Sequence, residues 1–200
     1  ELKYSAGIYP LFAVELRRWD ASLPTVLVTG GVHGYETSGV QGALRFIESH
    51  MLDYEGRANI MVTPCISPWG YETINRWNPE AVDPNRSFDR SRGTQETLQL
   101  MDYVEDCLTQ HQVNVLLHID LHETTDTDNS EFRPALQARD AKEEQEWEIP
   151  DGFYCVGDTN KPAAALQTAI IQAVAKVTHI AEADAGGCLI GSPVEQLGVI

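Results

Sequence analysis

Thr25-Val26-Leu27-Val28-Thr29-Gly30-Gly31-Val32-His33-Gly34-Tyr35-Glu36 is the stretch from which the fold can be read. A run of β-branched and aliphatic residues follows Pro24 and stops at two glycines. That is a short buried strand ending in a tight turn. Residues 37–51 then place Val40, Ala43, Leu44, Phe46, Ile47 and Met51 at helical spacing. Residues 59–66 read as a second buried strand, and residues 113–121 as a third. Between them, residues 94–110 carry Leu98, Met101, Val104 and Leu108 on one helical face. Strands alternating with helices predict an α/β fold: three layers, αβα, around a mixed, largely parallel central sheet. Working outward, residues 12–16 read as an early strand and residues 153–156 as a late one. Asn160 is expected to cap a helix with Pro162 in its first turn, running to about Val177.

The chain has 200 residues, enough for one domain, and 42% of them are hydrophobic, enough for a core. Fourteen basic side chains against 30 acidic ones give a net charge of −16. Phosphate backbones would repel such a chain, and no basic patch is locally dense, so no nucleic-acid partner is expected. No apolar run approaches the roughly 18 residues of a membrane span, so a transmembrane protein is excluded, and no membrane partner is expected. Cys65, Cys107, Cys155 and Cys188 are too far apart for a zinc ribbon and too sparse for a disulfide scaffold. They are expected as buried free thiols, which favours a reducing, cytoplasmic location. The ends, at Glu1 and at Gly198-Val199-Ile200, predict a chain that continues on both sides. Residues 126–151 are expected to form an acidic insertion or flap, since the stretch from 120 to 151 has 11 acidic and 3 basic residues.

The chemistry starts at His33 and Glu36. They form an H-x-x-E directly after a strand and a glycine turn, and ligand sites in α/β sheets lie beyond the carboxyl ends of strands. The same spacing recurs at His179 and Glu182 after a helix, without the turn. Context therefore separates the two. A catalytic zinc site takes three protein ligands and a water. The third ligand is expected at the end of another central strand, where His118-Ile119-Asp120-Leu121-His122-Glu123 supplies two candidates. His118 and His122 are four apart and share a strand face, and His122 is nearer the carboxyl end. Asp120 is placed to hold the far nitrogen of a metal-bound imidazole. His50, His111 and His179 read as surface or capping residues.

Residues 67–93 are rich in Pro, Gly, Asn and Arg and show no period, so they read as a long functional loop. They include Arg76-Trp77-Asn78 and Asp83-Pro84-Asn85-Arg86. A guanidinium fork suits a carboxylate, and Asn85 adds an amide donor beside Arg86. Equally, Arg76 and Arg86 could pair with Asp83 or Asp89 and hold the loop in shape.

The ordered set Gly30-Gly31-x-His33-Gly34-x-Glu36, Asp83-x-Asn85-Arg86-x-Phe88 and Asp120-Leu121-His122 resembles the zinc carboxypeptidase family. Asp120-Leu121-His122-Glu123-Thr124-Thr125 and the short spacings resemble its aspartoacylase and succinylglutamate desuccinylase branch. The resemblance implies a zinc exopeptidase-type fold and one zinc per chain, held by His33, Glu36 and His122. It implies that Asn85 and Arg86 hold a substrate carboxylate, and that Arg76 is catalytic, polarising the scissile carbonyl. The family also needs a general-base glutamate. Glu182 and Glu195 sit in no convincing strand, so that residue is expected beyond 200.

Residues 1–200 are thus expected to form a single zinc-hydrolase catalytic domain. The expected activity is that of a metallocarboxypeptidase-like hydrolase cleaving a C-terminal amide bond through a zinc-activated water. The alternatives are an N-acyl amino acid amidohydrolase with the same metal site, or a non-catalytic metal-binding domain if no glutamate follows. The expected partner is a small peptide or N-acyl amino acid with a free carboxylate.

Overall fold

The computed structural model describes residues 1–143 and 148–200. The chain separates into two compact units, Glu1–Glu123 and Thr124–Ile200.

The first unit opens with a hairpin of β1 (Leu2–Tyr4) and β2 (Gly7–Tyr9), which the sequence reading missed. Its centre is a four-stranded sheet of β3 (Val14–Glu15), β4 (Thr25–Gly30), β5 (Asn59–Thr63) and β6 (Val115–Leu121). The order is β3-β5-β4-β6; β4 runs parallel to both neighbours, and only β3 is antiparallel. The mixed, largely parallel sheet expected from the sequence is therefore present.

Alternation along the strands decides which residues face which layer. Val28, Ile60 and Val62 point to one side and pack with Ala43, Phe46 and Ile47 of helix α1 (Thr37–Ser49). Leu27 and Met61 point to the other side. There they meet Tyr103, Val104, Cys107 and Leu108 of helix α3 (Gln95–His111), which follows the short helix α2 (Pro68–Thr73). Each large aliphatic side chain buried this way contributes roughly 1.5–3 kcal/mol, so these two faces hold the layers together. Thr94 caps α3 by accepting from the Thr97 amide.

Helix α2 and a 3-10 turn at Pro84–Arg86 lie inside residues 67–93, so that stretch is not the uninterrupted loop expected. The turn is set by Asp83, whose side chain accepts from the Asn85 amide at 2.9 Å.

In the second unit, Asp128–Phe132 forms a π-turn leading into helix α4 (Arg133–Asp140). The acidic segment expected as a flap is therefore partly helical, and its residues 144–147 lie outside the described residues. Helix α5 (Ala164–Val174) starts later than expected, with Ala163 and not Asn160 at its N-cap. A short hairpin pairs β7 (Cys188–Leu189) with β8 (Ser192–Pro193). The strand expected at 153–156 is reduced to bridges from Phe153 to Ile180 and from Cys155 to Val199. All four thiols are free, but only Cys107 is fully buried. Among the described residues no helix is long and apolar enough to cross a membrane.

Candidate metal centre

The polar cluster of the first unit sits at the carboxyl ends of β4 and β6. Their parallel pairing puts Thr29 opposite Asp120 and Gly30 opposite Leu121, so both chains leave the sheet at one level. Behind β4, Gly31 turns with a φ of 63°, a left-handed conformation that favours glycine. A Cβ there would also meet Val40 Cγ2 at 2.5 Å. That turn brings back His33 and Glu36, while β6 delivers His118, Asp120 and, one residue past its end, His122.

His33 Nδ1 lies 2.6 Å from Glu36 Oε1, and His122 Nδ1 lies 2.9 Å from Glu36 Oε2. The three side chains each offer a ligand atom within 4.8 Å of the others. His33 and Glu36 are buried, whereas 35% of the His122 side chain faces solvent. Behind the cluster, His33 Nε2 is 3.0 Å from Asp83 Oδ1 and His122 Nε2 is 2.6 Å from Asp120 Oδ2. Two imidazoles turned onto one carboxylate, each steadied from behind by another, supply the donors and the support that a zinc-type cation requires. The residues present therefore fit such an ion.

Hydrogen bonds extend the cluster on both sides. Thr29 Oγ1 donates to Asp120 Oδ1 at 2.5 Å, which leaves the hydroxyl to accept from His118 Nε2 at 2.8 Å. His118 thus supports Asp120 and is not part of the triad. At the other end Arg76 Nε donates to Asp83 Oδ2 at 3.3 Å, and its Nη1 donates to Tyr35 OH at 2.6 Å. Arg76 Nη1 also stands 3.9 Å from Glu36 Oε1. Of the two arginines expected on the loop, Arg76 is bound to Asp83. Arg86 is exposed, and among the described residues its guanidinium has no hydrogen-bond partner. Asn85 lines a groove of about 850 Å³ with Thr29, Phe88, His118 and Asp120, on the α3 side of the sheet. The triad does not line that groove. In the second unit, His179 pairs with Asp151 at 3.0 Å, on the surface as expected.

The electrostatics follow from this geometry. Burial alone would raise the Glu36 pKa, but hydrogen bonds from His122 and His33 outweigh it and hold it down to about 2. Asp83 behaves alike: burial raises it, while His33, Arg76 and Arg86 bring it to about 2. Burial would lower His122, but Asp120 and Glu36 raise it to about 10. Burial keeps His118 below the ordinary histidine value. In the cation-free protein, His122 therefore stabilises fully below its ordinary pKa of 6.5, and this is lost as pH rises through about 10. The Glu36 contribution is present above 4.5 and is lost as pH falls through about 2.

Because an imidazole ligand must be neutral, a cation held by His122 would have to expel its proton. Calorimetric zinc titrations of a Cys107→Ser variant, which counts no thiol proton from α3, in buffers of different ionisation enthalpy are expected to show about one proton or more released per ion at pH 7, declining toward pH 10. Uptake with no release at pH 7 would show that His122 does not coordinate.

A two-histidine, one-carboxylate cluster at strand ends is the ligand set of one type of catalytic metal site. Residues 22–182 match the succinylglutamate desuccinylase/aspartoacylase catalytic domain family, and the chain belongs to that family. Its fold is shared with a proposed metallopeptidase of Shewanella amazonensis, at 21% identity and a TM-score of 0.66 over 96% of this chain and 64% of that one. A second proposed metallopeptidase, from Shewanella denitrificans, shares 19% identity with a TM-score of 0.65 over 96% and 61%. An aspartoacylase family protein from Mesorhizobium loti is 26% identical over 56% of this chain and 34% of its own, with a TM-score of 0.44. The chain spans less than two thirds of the two Shewanella proteins. Among curated proteins no match is found.

Sequence reasoning missed three members of the cluster's surroundings: Thr29, Tyr35 and, above all, Asp83 as the partner of His33. The available signal was that each histidine expected to bind metal needs an acceptor for its second nitrogen.

Proposed function

We propose that residues 1–200 form the catalytic domain of a zinc-dependent hydrolase that cleaves an amide bond in an N-acyl amino acid with a free carboxylate. The observation that carries this reading is the convergence of His33 Nδ1 and His122 Nδ1 on the two oxygens of Glu36. Family membership supports the acyl amino acid; the alternative, a C-terminal peptide bond, has the fold shared with two proposed metallopeptidases as its support.

One zinc held by His33, Glu36 and His122 would supply a Lewis acid and a water of lowered pKa. The residues of the chain do the rest. Asp83 and Asp120 accept from the Nε2 positions, so both imidazoles keep their Nδ1 lone pairs turned inward. Arg86, exposed and close to Asn85, binds the substrate carboxylate through a charge-assisted fork. Arg76, held by Tyr35 and Asp83, brings a positive charge beside the cluster, where an oxyanion develops. The carboxylates around the triad all have partners: Asp83 takes His33, Asp120 takes His122, and Glu123 accepts from the Ser38 amide at 2.9 Å. None of them is a free general base, so a glutamate outside this cluster is assigned that role. A cytoplasmic location goes with this reading, on the strength of four free thiols.

The test is turnover by the zinc-loaded chain of N-succinylglutamate, an N-acylated aspartate and a dipeptide. Release of the free amino acid from an acylated substrate is expected. Arg86→Ala is expected to raise KM by about tenfold or more, the value of one charge-assisted contact, and to leave metal content unchanged. Cleavage of the dipeptide alone would favour the carboxypeptidase reading. A fully metal-loaded chain inert on all three would overturn the assignment of the complete catalytic domain to residues 1–200.

A further inference from the structure

Away from the triad, the edge strand β3 and the last turn of α3 bring together three metal-ligating side chains. Glu15 stands on β3, and Cys107 and His111 are four apart on α3, hence on one face. A carboxylate oxygen, the sulfur and a ring nitrogen all lie within 4.8 Å of one another. Cys107 is buried and its Sγ donates to Glu15 Oε2 at 3.5 Å. That separation suits an ion: tetrahedral bonds of about 2.3 Å to sulfur and about 2.0–2.2 Å to oxygen put the two ligand atoms about 3.5 Å apart.

Two of the three side chains are also held by a second contact. Tyr103 OH donates to Glu15 Oε1 at 2.7 Å, which leaves Oε2 facing the sulfur. The His111 ring stacks on Trp19 with centroids 4.4 Å apart and planes at 17°, which fixes its orientation. His111 was expected to be a surface or capping residue; instead it is half-buried at the end of α3, in reach of a thiol. The helix carbonyls that end there favour a cation.

We propose that Glu15, Cys107 and His111 form a second divalent-cation site of zinc type, with three protein ligands and an open fourth position. The sulfur, nitrogen and oxygen donors select a borderline-soft ion over magnesium or calcium. Binding replaces the S–H bond by an S–metal bond, the proton leaves to solvent, and no electron is transferred. Burial, followed by the charge of Glu15, pushes this thiol up to about 12, so it enters the reaction protonated. The ion would tie a two-residue edge strand to the helix beside it. The site shares no residue with the triad and does not depend on the proposed hydrolysis.

Cobalt(II), a spectroscopic stand-in for zinc, tests it. The chain is expected to bind two equivalents, one of them bringing a near-ultraviolet thiolate-to-cobalt charge-transfer band. Cys107→Ser should remove the band and one equivalent. His111→Asn, at a half-buried position, should weaken that equivalent by about 100-fold or more. His122→Ala should remove the other equivalent and keep the band. Absence of the band in the parent chain overturns the proposal. So does a band that survives Cys107→Ser, which assigns it to another thiol, or one unaffected by His111→Asn.

Discussion

His122→Ala is expected to abolish tight metal binding at the His33–Glu36–His122 centre, and His118→Ala is expected to preserve it. His122 Nδ1 and His33 Nδ1 are the two ring nitrogens that face Glu36, at 2.9 Å and 2.6 Å. Without His122 only one nitrogen and one carboxylate remain, and affinity should fall by more than about 100-fold, beyond what loss of a supporting contact costs. His118 touches the centre only through Thr29, which it meets at 2.8 Å. Removing it leaves Thr29 still donating to Asp120 and Asp120 still holding His122. Its effect should therefore stay within about tenfold. Elemental analysis of the dialysed chain, in a Cys107→Ser background so that only this centre is counted, decides the matter. Metal retained by His122→Ala and lost by His118→Ala would reverse the assignment. Metal lost by neither would place the ion elsewhere.

The choice between these histidines shows how far the sequence could be read. The run at 25–30 and its glycine turn specify a buried strand and its end, and the partner strand ending at Leu121 can be found from composition. Parallel pairing of Thr29 with Asp120 then does the rest, because the proposed ligands leave both strands at one level. Position beyond the strand end, not spacing along it, separates His122 from His118. What stayed hidden was determined by contacts between distant residues. Asp83 lies 50 residues from His33, and nothing near it in the chain marks it as that ring's partner. Helix α2 has six residues and shows no period of its own. It forms because Pro68 opens it and because it lies against the loop bearing His33. The bridges of Phe153 and Cys155 are single pairings, too few for alternation to register as a strand. His111 looked superficial because its partners, Cys107 one turn back and Glu15 on β3, are brought together only by the packing of α3 on the sheet.

The contact that seats α2 also makes the largest stability effect expected in this unit. Gly34 sits between the two proposed ligands of its loop, His33 and Glu36, and its amide donates to the Asn75 carbonyl at 3.0 Å. A Cβ at residue 34 would come within 1.8 Å of the Gly70 carbonyl carbon and 2.2 Å of the Tyr71 nitrogen. These are backbone atoms of α2, so no side chain can swing aside and the helix itself must move. Gly34→Ala is therefore expected to destabilise the chain by about 3 kcal/mol or more, at or above the top of the usual range for overpacking. Metal affinity should fall with it, because α2 shifts against the turn that aims His33 at Glu36. Gly42→Ala is the control. In α1 its added methyl would meet nothing nearer than Leu121 Cδ1 at 3.9 Å. Alanine is the better helix former there, so a gain of roughly 0.5–1 kcal/mol is expected. Urea unfolding of the two variants measures both effects. If Gly34→Ala unfolds within about 1 kcal/mol of the parent chain, the close approach of Gly34 and Gly70 does not set the position of α2. The loop would then have to be aimed by the other bonds of its turn, from Ser67 Oγ to the Val32 carbonyl at 2.6 Å and from the Ser67 amide to the Gly31 carbonyl at 2.9 Å.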